Sequence, residues 1–70
     1  MSKEYKVVVE GGGRNLYKIT EYNGRYHAYQ VTVNLLINDN DSIGKASSLE
    51  GALSLIKSHS GESIEKLTEV

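Results

Sequence analysis

Arg25–Ile37 (Arg-Tyr-His-Ala-Tyr-Gln-Val-Thr-Val-Asn-Leu-Leu-Ile) is the longest stretch of this chain rich in β-branched and aromatic residues. From Tyr29 its odd positions alternate with more polar even ones. Read as a strand, it places Tyr29, Val31, Val33, Leu35 and Ile37 on one face and Tyr26, Ala28, Gln30, Thr32 and Asn34 on the other. A strand this long needs partners on both sides and an apolar cover over its odd face. The remaining residues must supply both.

The chain has no proline, so glycine marks the turns. Lys3–Glu10 reads as a first strand with Tyr5, Val7 and Val9 inward, broken by Gly11-Gly12-Gly13. Asn15–Glu21 reads as a second, with Tyr17 and Ile19 inward and Leu16, Lys18 and Thr20 outward. Asn23-Gly24 is the usual signature of a two-residue hairpin turn. That turn would set Tyr22 opposite Arg25 and Lys18 opposite Tyr29, and the two apolar faces would disagree. A three-residue loop, Tyr22-Asn23-Gly24, sets Glu21 opposite Arg25 and Tyr17 opposite Tyr29, and brings the faces into agreement. The expected hairpin is therefore a turn with a bulge at Gly24. The same reasoning gives the first hairpin a three-residue loop, with Glu10 opposite Arg14, Val7 opposite Tyr17 and Tyr5 opposite Ile19.

Asn38-Asp39-Asn40-Asp41 reads as a polar turn, followed by a short strand over Ser42–Ala46. Ser47 and Glu50 have capping-box spacing, predicting a helix from about Ser48 to His59 that stops at Gly61. Leu49, Ala52, Leu53 and Ile56 form its apolar stripe, expected to meet the odd face of the long strand. Gly51 within it costs roughly 1 kcal/mol relative to alanine, which points to close approach between helix and sheet. In Glu62–Val70 Ile64 and Leu67 also sit at helical spacing, but the alternation favours an edge strand that could return beside the first strand. The expected fold is a single α+β domain over residues 1–70. It has a four-stranded antiparallel meander, one helix on one face and a fifth short strand, in the order ββββαβ.

A core built from seventy residues supplies only about 3–5 kcal/mol, so a metal, a disulfide or self-association often assists chains of this size. Cysteine is absent, which removes disulfides, thiolate metal sites and thiol nucleophiles. No signal-like or membrane-length apolar run occurs, and a cytoplasmic protein without membrane contact is expected. The net charge of −1 lacks the basic excess of a dedicated nucleic-acid binder. Its distribution is uneven, however. Residues 1–30 hold five cations and three acids, and residues 31–70 hold three cations and six acids.

Asp39 to Glu50 resembles an EF-hand calcium loop, with acids at loop positions 1 and 3, glycine at 6 and glutamate at 12. Ile43 stands where a ligand oxygen is required, and the preceding segment reads as strand. The reading is therefore a polar turn, a strand and a helix cap, with no metal site. His27 and His59 are too far apart in sequence to form a local metal pair. Gly11-Gly12-Gly13 leads into a strand and lacks the helix N-terminus a phosphate loop uses. No residue pattern marks an activated nucleophile, so neither an enzyme nor a cofactor is expected.

Function is then expected of a surface. The outward face is expected to carry Lys6, Lys18, Tyr26, Gln30, Thr32 and Asn34, the candidate binding residues. Val8, Leu16 and Leu36 are also left facing outward by the alternation. The first expectation is a non-catalytic protein-interaction module or homodimer that buries these apolar side chains. The alternative is nucleic-acid binding by the open sheet face. The layout of three antiparallel strands followed by a helix resembles, in topology alone, the plant AP2 domain and integrase arm-binding domains. That resemblance implies DNA reading by the sheet.

Overall fold

The computed structural model describes residues 3–11, 16–33 and 38–70. In chain order the elements are β1 (Lys3–Val9), β2 (Leu16–Tyr22), β3 (Arg25–Val33), β4 (Asn38–Ala46), α1 (Leu49–Ser60) and β5 (Ile64–Glu69). All strand pairings are antiparallel, and the sheet order is β4-β3-β2-β1-β5. This is the expected ββββαβ arrangement, with the last strand beside the first. The topological likeness to three-stranded DNA-reading domains thus covers only part of a five-stranded sheet.

The order explains the helix. After β4 the chain must cross the whole sheet to reach the far side of β1, a step of four strand spacings or about 19 Å. The 12 residues of α1 lie within this connection, and the helix packs on one face, chiefly over β3 and β4. Beneath it Val7, Val9, Tyr17, Ile19 and Ala28 are buried together with Ala52 and Ile56 of the helix. Leu49 and Leu53 pack against this core from its margin.

Two features of the helix differ from expectation. The N-cap is Ser48, whose Oγ accepts from the Gly51 N–H at 3.1 Å. The capping box between Ser47 and Glu50 is therefore not formed, because Glu50 falls one position early in the first turn. The C-terminus closes as expected: Gly61 is left-handed and its N–H donates to the Lys57 carbonyl at 2.8 Å. Gly51 does mark a close approach. A Cβ there would stand 2.9 Å from the Ala46 Cβ and 3.3 Å from the Ser48 hydroxyl.

The β2–β3 hairpin overturns the expected register. Tyr22 pairs with Arg25, Lys18 with Tyr29 and Ile19 with Ala28, so the turn is the two-residue Asn23-Gly24. Both residues have positive φ, 51° and 76°, as the turn matching strand twist requires. The side chains of Tyr26 and of Ala28 to Thr32 consequently lie on the face opposite to that expected. The physical reason is space beneath the helix. Ala28 pairs with Gly44 of β4, and a Cβ on Gly44 would lie 3.1 Å from Leu55 Cδ1. The helix requires this small pair inward, and Tyr29 and Val31 go outward. In the first hairpin Val7 pairs with Tyr17 and Tyr5 with Ile19 as expected; the expected contact of Glu10 with Arg14 falls outside the described residues.

The polar run Asn38–Asp41 is the first part of β4 rather than a turn. Residues 34–37, assigned to the long strand from the sequence, lie outside the described residues. Both edge strands carry a register shift. Ala28 faces Gly44 but Tyr29 faces Ser42, which leaves Ile43 as the extra residue. Val8 faces Lys66 but Val9 faces Ile64, which leaves Glu65 as the extra residue. Each shift lets an isoleucine, Ile43 or Ile64, pack against the core. A bulge also twists an edge away from further pairing.

Candidate binding face

The sheet face opposite α1 has no element over it among the described residues. Directly opposed residues share a face, so the pairings assign its side chains in rows. One row runs Lys66, Val8, Leu16, Val31 and Asn40 across β5, β1, β2, β3 and β4. The next runs Thr68, Lys6, Lys18, Tyr29 and Ser42 in the same order. A third places Glu4, Thr20, His27 and Lys45 side by side across β1 to β4. Arg25, two positions beyond His27, completes the face at the hairpin end.

Charge is segregated between the two sides. Among the described residues the open face holds five cations, Lys6, Lys18, Arg25, Lys45 and Lys66, against one acid, Glu4. Glu21, Asp39, Asp41 and Glu69 fall on the helix side by register, with Lys3 opposite Glu21 and Lys57 on α1 as the cations there. Glu50 lies on α1, and Glu10, Glu62 and Glu65 lie in connections or at the bulge. A chain of net charge −1 thereby presents one distinctly basic surface.

Lys18 sits at the centre. Its Nζ lies 5.6 Å from the Tyr29 ring centroid, within cation–π range, and 4.0 Å from Glu4 Oε1. The Lys18 and Glu4 side chains are 28% and 50% exposed, so their attraction is screened and contributes little. Beside them is a depression of about 310 Å³, whose walls include Lys6, Lys18, Leu16, Val31 and Val70. The Glu4 carboxylate lines it as well, so the depression joins an apolar floor to charges of both signs.

The candidate residues chosen from the sequence are split by this geometry. Lys6 and Lys18 are directly opposed on the open face. Tyr26, Gln30 and Thr32 lie on the helix side, where Tyr26 packs against the core. Asn34 is outside the described residues. Sequence reasoning missed Tyr29, His27 and Val31, and the Asn23-Gly24 pair was the signal that could have found them. In the EF-hand-like segment, Asp39 and Asp41 lie on strand β4, Ile43 packs inward and Glu50 is in the first helical turn. Among the described residues no three His, Cys, Asp or Glu side chains come together. No described helix is long and apolar enough to cross a membrane.

The fold defines a small α+β domain with one covered and one open sheet face. Compared with known proteins, the chain matches no family model, no curated protein and no solved structure.

Proposed function

We propose that this domain is a non-catalytic binding module that takes single-stranded nucleic acid on the open face of its sheet. The observation that carries the reading is the segregation of five cations onto the face that also carries Tyr29 and His27. Single strands are held by cations that track phosphates and by aromatic rings on which bases stack. The apolar row of Val8, Leu16 and Val31 offers a surface against which an unstacked base can desolvate.

That apolar row also favours a second reading, self-association or a protein partner. A two-fold homodimer through this face would bring the Lys6–Lys18 row of one copy toward that of the other, and like charges across an interface are costly. Pairing the basic face with the acidic side of a second copy would be head-to-tail and would not close. A separate acidic protein remains the counter-reading for the test to exclude.

The test is fluorescence anisotropy with a labelled oligothymidylate. With about three phosphates neutralised, affinity should fall roughly 20-fold between about 50 and about 200 mM salt. Salt-independent binding, or no binding at the lower salt, would overturn the reading. A dimer by sedimentation whose interface amides lie on β1, β2 and β3 would support self-association in its place.

A further inference from the structure

We propose a second site on this molecule: a cleft for a phosphate monoester where the β2–β3 turn meets the junction of β4 and α1. The cleft is lined by Asn23, Gly24, Arg25, Lys45, Ala46 and Ser47 and has a volume of about 440 Å³. Among the described residues its charged lining is wholly cationic, Arg25 and Lys45 being the only ionisable side chains there. They come from neighbouring strands: Lys45 pairs with His27, two residues from Arg25.

The chemistry of the wall selects the ligand. A guanidinium presents a planar fork that matches phosphate oxygens in pairs, and an ammonium beside it supplies a compact second charge. Ser47 and Asn23 add a hydroxyl and an amide, which donate to oxygens that the cations leave unpaired. Gly24 leaves the approach open, because a Cβ at that position would meet nothing within 4 Å. Helix α1 begins at Leu49 behind the Ser48 cap, and its positive end adds to the field. Glu21 and Glu50, the acids nearest in sequence, do not line the cleft. A volume of this order exceeds what one phosphate fills, which leaves room for the sugar or base it is attached to.

Two sources share this chemistry, a free nucleotide and the terminal phosphate of a strand lying along the open face. The site does not depend on the open-face reading, because a free phosphate ester satisfies every group named. Its relation to that reading is geometric. Arg25 and Lys45 belong to the open face by register, so the cleft lies where a strand crossing the Lys6–Lys18 row would end.

The experiment uses the full chain labelled with nitrogen-15. It is titrated in turn with pyrophosphate, thymidine 5′-monophosphate, and two oligothymidylates that differ only in a 5′-phosphate. Pyrophosphate and the monophosphate should move the amides of Gly24, Lys45 and Ser47. Arg25→Gln and Lys45→Gln should each weaken that binding about tenfold, with the remaining amide spectrum reporting an intact fold. If a strand end is the natural source, the 5′-phosphorylated oligothymidylate should bind more tightly than its unphosphorylated twin, and Arg25→Gln should erase the difference. Cleft amides that respond to the phosphates no more than to sodium chloride of equal ionic strength would overturn the site. Oligothymidylate shifts confined to Lys18 and Tyr29, with a silent cleft, would also overturn it and leave the open-face reading standing. Phosphate in the cleft without oligothymidylate on the face would uphold the site and overturn that reading instead.

Discussion

Tyr17 and His59 are 42 residues apart in sequence, yet the Tyr17 phenol oxygen lies 3.1 Å from His59 Nδ1. Their rings meet edge to face, with centroids 5.9 Å apart and planes at 79°. The contact ties the last turn of α1 to β2 and closes the core at that end. Tyr17 is buried, and its hydroxyl needs a partner there. His59 provides one from the exposed rim of the helix.

This pairing predicts a one-sided alkaline instability. Burial pushes the Tyr17 phenol above the usual tyrosine value, which is about 10. A group whose folded pKa is raised contributes stability that is complete below its unfolded pKa. That stability is lost as pH rises from there through the folded value, because the unfolded chain releases the proton first. Urea midpoints should fall as pH is taken above about 10. Tyr17→Phe should reduce that slope while costing about 0.5–1.5 kcal/mol at neutral pH through the lost hydrogen bond. A Tyr17→Phe protein with an unchanged alkaline slope would show that the phenol is not the titrating group.

Gly24 gives the second prediction. Its φ is +76° and a Cβ there would meet nothing within 4 Å, so Gly24→Ala probes backbone strain without a clash. The left-handed region costs an alanine about 1–2 kcal/mol. A lower urea midpoint with an unchanged denaturant slope is expected. An equally stable variant would contradict the two-residue turn.

That turn also shows where the sequence could be read and where it could not. Strand existence, strand order, the helix and its apolar stripe were all legible, because the periodicities of Tyr5–Val9, Tyr17–Ile19 and Leu49–Ile56 report burial directly. The register of β3 was not. Its alternation from Tyr29 onward suggested an inward odd face, whereas the helix needs Ala28 and Gly44 beneath it. Closeness of approach is a property of two segments together and leaves no periodic trace in either. Asn23-Gly24 carries the right local signal and conflicts with the longer alternation. The candidate face went with it: Tyr26, Gln30 and Thr32 exchanged places with His27, Tyr29 and Val31. The bulges that turn Ile43 and Ile64 onto the core were invisible for a similar reason, since one extra residue breaks the period that would reveal it.

Gly51→Ala sets two effects against each other. Alanine is favoured over glycine in a helix by about 0.8–1 kcal/mol. The new Cβ would stand 2.9 Å from the Ala46 Cβ and 3.3 Å from the capping Ser48 hydroxyl. Overpacking costs about 1–3 kcal/mol, so net destabilisation is expected. A double-mutant cycle with Ala46→Gly isolates the contact: the Gly51→Ala penalty should shrink or reverse when the Ala46 methyl is absent. A penalty unaffected by Ala46→Gly would place the strain at the cap alone.

The final prediction turns the corrected register into a test of function. If a single strand lies on the open face, Tyr29→Ala should weaken oligothymidylate binding by the value of one stacked base, about 1–3 kcal/mol. Lys18→Gln should flatten the salt dependence by roughly 0.7 in log–log slope, the share of one phosphate on a single strand. Lys18 is held 5.6 Å from the Tyr29 ring centroid, so the two substitutions should not be additive. Thr32→Ala serves as the counter-test, because Thr32 is exposed but falls on the helix side by register. It should leave affinity unchanged. Anisotropy titrations of the three variants decide between the faces: loss of binding in Thr32→Ala with Tyr29→Ala unaffected would place the ligand on the side that α1 covers.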